Sequence, residues 1–217
     1  EMPELWRSLK RLRRDKRMNL SEHPLINAYN MDCMDFMRDK PDNYYDLAIV
    51  DPPYGIKPTS NFGVKETVRF SKDDVDWDVL PNEKYFNELM RVSANQIIWG
   101  GNYFTLPPNR CFLIWDKENG ANPFADGEYA WTSFETSARI FRYFWLGSHI
   151  HRIEDVIHPT QKPIQLYRWL LSNYAKPGDM ILDTHGGSFS SAIACHMEGF
   201  DLDICELDED YFNDAVK

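Results

Sequence analysis

The sequence predicts an α/β protein with an open, mostly parallel twisted sheet and one antiparallel strand. Three observations carry this. Short apolar runs of strand length end in turn residues, as in Leu47-Ala48-Ile49-Val50 before Asp51-Pro52-Pro53-Tyr54-Gly55. Segments of helical periodicity alternate with them. The last third reads as helix, strand, glycine turn, helix, strand, helix, the alternation that builds parallel sheets.

In chain order, Leu25 to Asn30 reads as a short strand, Asp35 to Arg38 as a helical turn, and Leu47 to Val50 as a buried strand. Residues 56–80 are polar and unperiodic and read as a long loop, a class that is usually functional. Pro81 to Ser93 is amphipathic, with Tyr85, Phe86, Leu89 and Met90 on one face. Gln96 to Trp99 and Cys111 to Trp115 read as strands. Tyr129 to Phe134 and Ala138 to Trp145 read as an antiparallel pair turning at Glu135-Thr136-Ser137. Pro163 opens a helix with Ile164, Tyr167, Leu170, Leu171 and Tyr174 on one face. Asp179 to Asp183 is a strand, Phe189 to Glu198 a helix closed by Gly199, Phe200 to Glu206 a strand, and a last helix starts near Asp208. Trp99, Trp115, Trp131, Trp145 and Trp169 fall in these elements and are expected in the core.

The 217 residues fit a basic arm, 1–20, and one domain, 21–217, with small loop insertions at 56–80, 119–126 and 147–155. A formal charge of −10 argues against wrapping nucleic acid over the whole surface. The first seventeen residues nevertheless hold seven Lys/Arg against three acids, which fits a solvated tail or a phosphate contact. Lys57, Lys65, Arg69 and Lys72 are further candidate nucleic-acid contacts. No apolar stretch approaches the roughly 20 residues of a membrane helix. Cys33, Cys111, Cys195 and Cys205 form no C-x-x-C pair or local ligand spacing, so reduced thiols, a cytoplasmic location and no metal are expected.

The turn Asp51-Pro52-Pro53-Tyr54 is the strongest chemical signal. Two prolines fix the backbone, donate no N–H, and leave carbonyl oxygens without local partners. An acidic acceptor, a carbonyl and an aromatic face make a clamp for a planar amine such as a nucleobase; by itself the turn is equally an ordinary strand end. Downstream, Met180 to Asp183 leads into Thr184-His185-Gly186-Gly187-Ser188 and a helix, and Glu206 ends the next strand about twenty residues on. The glycines allow close approach of backbone to a ligand, and Glu206 suits a ribose diol. This arrangement fits an adenosine-containing cofactor.

Taken with His158-Pro159-Thr160-Gln161-Lys162-Pro163, these motifs resemble the β class (permuted) of DNA amino-methyltransferases, adenine-N6 type. That family carries Asp-Pro-Pro-Tyr, His-Pro-Thr-x-Lys-Pro, the S-adenosylmethionine glycine loop and an acidic ribose ligand in this chain order. Gly100-Gly101-Asn102-Tyr103-Phe104 and Trp115-Asp116-Lys117 also look like family segments. The resemblance implies a Rossmann-like methyltransferase fold with circularly permuted motifs. It also implies methyl transfer from S-adenosylmethionine to the N6 amine of a flipped adenine in DNA. Asp51, Pro52, Pro53 and Tyr54 are the implied catalytic residues, with Tyr54 stacking on the base. Asp32 and Cys33 would flank the cofactor adenine, and Glu206 would hold its ribose. Asp183, Thr184, Gly186, Gly187 and Ser188 would meet its methionine side, beside Asp51, and Thr160, Lys162 and Pro163 would close the pocket. Cytosine N4, RNA, or a catalytically impaired cofactor-binding subunit are the alternatives. The small recognition region implies a homodimer or a partner recognition subunit. The family's loop usually reads Asp-Pro-Phe-x-Gly-Ser-Gly; here His185 stands for the aromatic and Phe189 for the last glycine.

Overall fold

The computed structural model describes residues 23–56, 78–120, 125–145, 158 and 160–217. The basic arm, Lys57, Lys65, Arg69, Lys72 and the 147–155 insertion lie outside these residues. The strands are β1 (Ile26–Asn30), β2 (Leu47–Val50), β3 (Gln96–Trp99), β4 (Phe112–Asp116), β5 (Gly127–Thr132), β6 (Arg139–Arg142), β7 (Met180–Asp183) and β8 (Asp201–Glu206). The helices are α1 (Cys33–Arg38), α2 (Glu83–Val92), α3 (Ile164–Tyr174), α4 (Ser190–Glu198) and α5 (Glu209–Ala215).

The described strands form one sheet in the order β1-β8-β7-β2-β3-β5-β4-β6. All pairings are parallel except those of β5 with β3 and β4, so β5 alone runs against the rest. Both faces are covered, which explains the unbroken apolar run in β2. Leu47 and Ile49 join one core with α3 and α4, while Ala48 and Val50 join the other with α1 and α2. The period of two puts alternate residues on opposite faces, and four consecutive buried residues serve both cores.

Helix ends follow local chemistry. Asp32 caps α1 by accepting from Met34 N at 2.7 Å and Asp35 N at 3.2 Å. Asn82 and Asp208 cap α2 and α5 in the same way.

Two expectations are corrected. The strands near 129–134 and 138–145 do not pair with each other. β4 lies between β5 and β6, pairing antiparallel with the first and parallel with the second. The short link suggested a hairpin, but β4 offers each strand a fuller apolar partner. Trp99, Trp115 and Trp131 are buried, whereas Trp145 and Trp169 are only half-buried at the edge of the core.

The connection from β7 runs to β8 on one side, and that from β2 runs to β3 on the other. Where such connections diverge, the carboxyl ends of the strands leave a crevice open. The turn after β2 and the glycine loop after β7 meet at that point.

Candidate active site

A cavity of about 660 Å³ opens at this crevice. Its wall is drawn from the ends of four adjacent strands: Asp32 and Cys33 after β1, Glu206 on β8, Thr184 to Ser188 after β7, and Asp51 and Pro53 after β2. Thr160 and Lys162 close it from the segment before α3, with Val79 and Leu80 at the mouth. The volume lies within the roughly 300–1,000 Å³ of small-molecule sites.

The glycine turn is built around Phe189. This residue takes a left-handed backbone, φ 56°, at the entrance to α4, where the family pattern has glycine. Its ring turns away from the cavity into the core, 5% exposed and edge-on to Phe212 with centroids 5.9 Å apart. A Cβ on Gly186 would come within 2.4 Å of that ring, so the loop tolerates Phe189 because Gly186 has no side chain. Gly187 N donates to Glu206 Oε2 at 2.7 Å, and Asp208 N to Glu206 Oε1 at 2.9 Å. Each oxygen keeps a second lone-pair direction for a hydroxyl. Burial raises the Glu206 pKa above the ordinary carboxylate value.

Asp183 lies behind the wall, outside the cavity lining, accepting from Ser191 Oγ at 2.6 Å and His185 N at 3.1 Å. Burial lifts its carboxyl to about 7. His185 joins a chain from α2: Tyr85 Oη meets Thr184 Oγ1 at 2.6 Å, and Thr184 Oγ1 meets His185 Nδ1 at 2.9 Å. Burial holds both His185 and His158 down at about 4, so the cavity presents neutral imidazoles. Burial, reinforced by Asp32, pushes the Cys33 thiol up to about 12, which keeps it neutral.

At the other end, Asp51 is held on both oxygens. Tyr54 Oη donates to Oδ1 at 2.5 Å, and the Lys162 ammonium pairs with Oδ2. Lys162 is buried and also contacts Glu128 Oε2 at 3.2 Å. Lys117 Nζ holds the other Glu128 oxygen at 2.7 Å. Burial works against the Lys162 charge, but the two carboxylates outweigh it and raise its pKa. Burial likewise opposes the Glu128 charge, and the two lysines overcome it, holding Glu128 at about 2.

The structure therefore brings together Asp32, Cys33, Asp51, Pro53, Thr160, Lys162, Thr184, Gly186, Gly187, Ser188 and Glu206 around one cavity. Pro52, Tyr54, Pro163 and Asp183 stand behind that wall. Tyr54 packs against Gly100, where a Cβ would lie 2.1 Å from the ring, and stacks on Tyr103 at 4.9 Å and 18°. Gly100 has φ 69°, so both space and backbone favour glycine there.

Sequence reasoning missed Glu128, and it met Lys117 only within the segment Trp115-Asp116-Lys117, with no role assigned. The predicted strand began at Tyr129, two residues after the observed start at Gly127, and nothing local shows that the start of an antiparallel strand lies beside the end of β2. Among the described residues no cluster of His, Cys, Asp and Glu could hold a metal, and no helix is long and apolar enough to cross a membrane. The four cysteines are free.

The family described as DNA methylase (N6_N4_Mtase) matches residues 130–217. The Type II methyltransferase M2.MboI of Moraxella bovis is 27% identical over 221 residues, covering 80% of each chain. The M1.HpyAVI–SAM complex superposes with a TM-score of 0.54 at 18% identity, covering 88% of this chain and 98% of that one. The cytosine-N4-specific PvuII DNA methyltransferase gives 0.55 at 13% identity, covering 90% and 88%. The fold is that of the S-adenosylmethionine-dependent methyltransferases. In sequence the chain is similar to the DNA methyltransferases of this fold. Within this methyltransferase fold, the cavity described above sits at the carboxyl edge where the sheet connections diverge.

Proposed function

We propose that the chain transfers a methyl group from S-adenosylmethionine to the exocyclic N6 amine of an adenine in DNA, at a specific site. The observation that carries this reading is the meeting of Asp51 with the glycine turn and Glu206 in one cavity. An amine acceptor and an adenosine-type site thus share one cavity. The residues present fit the cofactor. Glu206 would accept from the ribose hydroxyls, Asp32 and Cys33 would flank the adenine, and the Thr184 to Ser188 turn would receive the methionine end. When bound, the cofactor supplies an electrophilic methyl on a sulfonium.

The protein's own contribution is placement. Asp51, at the cavity wall, accepts a hydrogen bond from the amine, which favours a pyramidal nitrogen whose lone pair leaves ring conjugation. Orientation of this kind can lower a barrier by roughly 7–11 kcal/mol. The amine loses its proton after gaining the methyl, so Asp51 serves as an acceptor and need not be a strong base. The target base must leave the duplex to reach Asp51, because the cavity lies below the protein surface. Asp as the first residue of the turn favours adenine; cytosine N4 offers the same chemistry on a smaller ring.

The test uses labelled S-adenosylmethionine with unmethylated DNA, and RNA in a parallel reaction, followed by identification of the methylated base. Transfer to adenine N6, abolished by Asp51→Ala, is expected. Transfer to cytosine or RNA would redirect the reading, and no transfer with intact cofactor binding would leave a cofactor-binding subunit.

A further inference from the structure

Lys117, Glu128, Lys162 and Asp51 form a line of alternating charge that ends at the cavity wall. It draws on four places: the segment after β4, the start of β5, the segment before α3, and the turn after β2. Only Asp51 and Lys162 line the cavity. Lys162 is 3% exposed along its side chain, so its charge is balanced by protein groups and not by water. Glu128 is a quarter exposed, yet its Oε2 atom is fully buried and faces Lys162 as an ion-pair contact without an aligned hydrogen bond. Holding two cations and two anions largely away from water is costly. Their arrangement is explained by what it does to Asp51.

We propose that Glu128, anchored by Lys117, is a positioning residue that shares the Lys162 ammonium with Asp51 and so leaves Asp51 a stronger acceptor for the target amine. This rests on the methyl-transfer reading above. With Asp51 alone as partner, Lys162 would direct its full charge at the one carboxylate the amine needs. With Glu128 present, Asp51, Lys162 and Glu128 together carry one net negative charge beside a nitrogen that becomes cationic on methylation. Lys117 binds the far oxygen of Glu128, which fixes that carboxylate without competing at Asp51. Other groups around Lys162 do not supply this balance. Tyr54 Oη lies 3.5 Å away and donates to Asp51, and the Trp99 ring lies 5.6 Å away. Tyr167 on α3 is held neutral, as is His158. Asp183 on β7 accepts its hydrogen bonds from Ser191 and His185.

The experiment compares the full chain with Glu128→Gln and with the double variant Lys117→Met/Glu128→Gln. The double variant keeps the net charge of the parent and spares the fold an unpaired lysine. In Glu128→Gln, kcat for methyl transfer should fall on the order of tenfold or more, with the KM for DNA little changed. The double variant should keep that loss, because Lys162 still has Asp51 as its one carboxylate. Recovery of parental kcat in the double variant would mean that net charge alone matters, and would overturn the sharing. An unchanged kcat in Glu128→Gln would overturn it directly. A second readout needs no substrate: NMR titration of the Lys162 ammonium in selectively labelled protein. Lys162 should lose its proton at lower pH in both variants than in the parent. An unmoved titration would refute the contact independently of any reaction. If the parent transfers no methyl group to any nucleic acid, the functional reading falls, and the titration still decides whether Glu128 holds Lys162.

Discussion

Replacing Phe189 by glycine restores the residue the family pattern places in the cofactor loop, and the structure predicts that this restoration is harmful. Two opposing effects set the magnitude. The left-handed backbone at φ 56° strains any residue with a Cβ by about 1–2 kcal/mol, which glycine relieves. Against this, the ring is buried against Phe212 and fills the space over Gly186. Deleting such a ring costs about 3–5 kcal/mol, and glycine adds roughly 0.5–1 kcal/mol of backbone entropy lost on folding. The net is a destabilisation of roughly 2–5 kcal/mol. With a urea dependence of about 1–3 kcal/mol per molar, the unfolding midpoint should drop by on the order of 1 M. Because the ring points into the core and not the cavity, S-adenosylmethionine affinity by calorimetry in the folded variant should stay within about twofold of the parent. A variant more stable than the parent, or one that binds the cofactor about tenfold tighter, would show that Phe189 is a defect in the loop. The core-filling role would then be wrong.

Two further outcomes follow from the site. Tyr103 stacks on Tyr54, the ring proposed to receive the target base, so Tyr103→Ala should tighten binding of an extruded target base by about two- to tenfold, the worth of one aromatic stack of about 0.5–1.5 kcal/mol. Fluorescence of 2-aminopurine at the mapped target measures this, and weaker binding would show that the base stacks on Tyr103 itself. The second concerns Asp183, whose folded carboxyl at about 7 lies above its unfolded value near 4, so its neutral form stabilises the fold at acid pH and that contribution is lost as pH rises through 7. A bound cation favours the carboxylate, so S-adenosylmethionine binding at pH 7 should release about half a proton, read by calorimetry in buffers of different ionisation enthalpy. Asp183→Asn should abolish the release, and a release that persists in that variant would assign the proton elsewhere.

The sequence made legible whatever is local. The run Leu47 to Val50 and the turn after it are set by β-branched residues and two prolines, and Pro163, Asp208 and Gly199 mark helix ends close to where they occur. The cavity lining from β1, β2, β7 and β8 was readable because parallel strands joined by helices bring every carboxyl end to one edge. β4, β5 and β6 were not readable in the same way. Their order depends on which strand inserts between the other two, and that is decided by burial of Leu113, Trp115 and Ala130 across long sequence separations.

The same distinction separates the two halves of the chemistry at Asp51. Tyr54 is three residues away and its hydrogen bond is nearly dictated by the rigid turn. Lys162 is 111 residues away and reaches Asp51 because the segment before α3 crosses the end of β2. Glu128 enters only because β5 runs against its neighbours: reversing one strand places its first residues, not its last, at the edge where the other strands end. An antiparallel strand in an otherwise parallel sheet therefore delivers a charge from its amino end to the reactive edge, and here that charge is the second carboxylate on Lys162. Were β5 parallel, Thr132 and not Glu128 would stand near that edge, and Lys162 would have Asp51 as its sole carboxylate partner among the described residues.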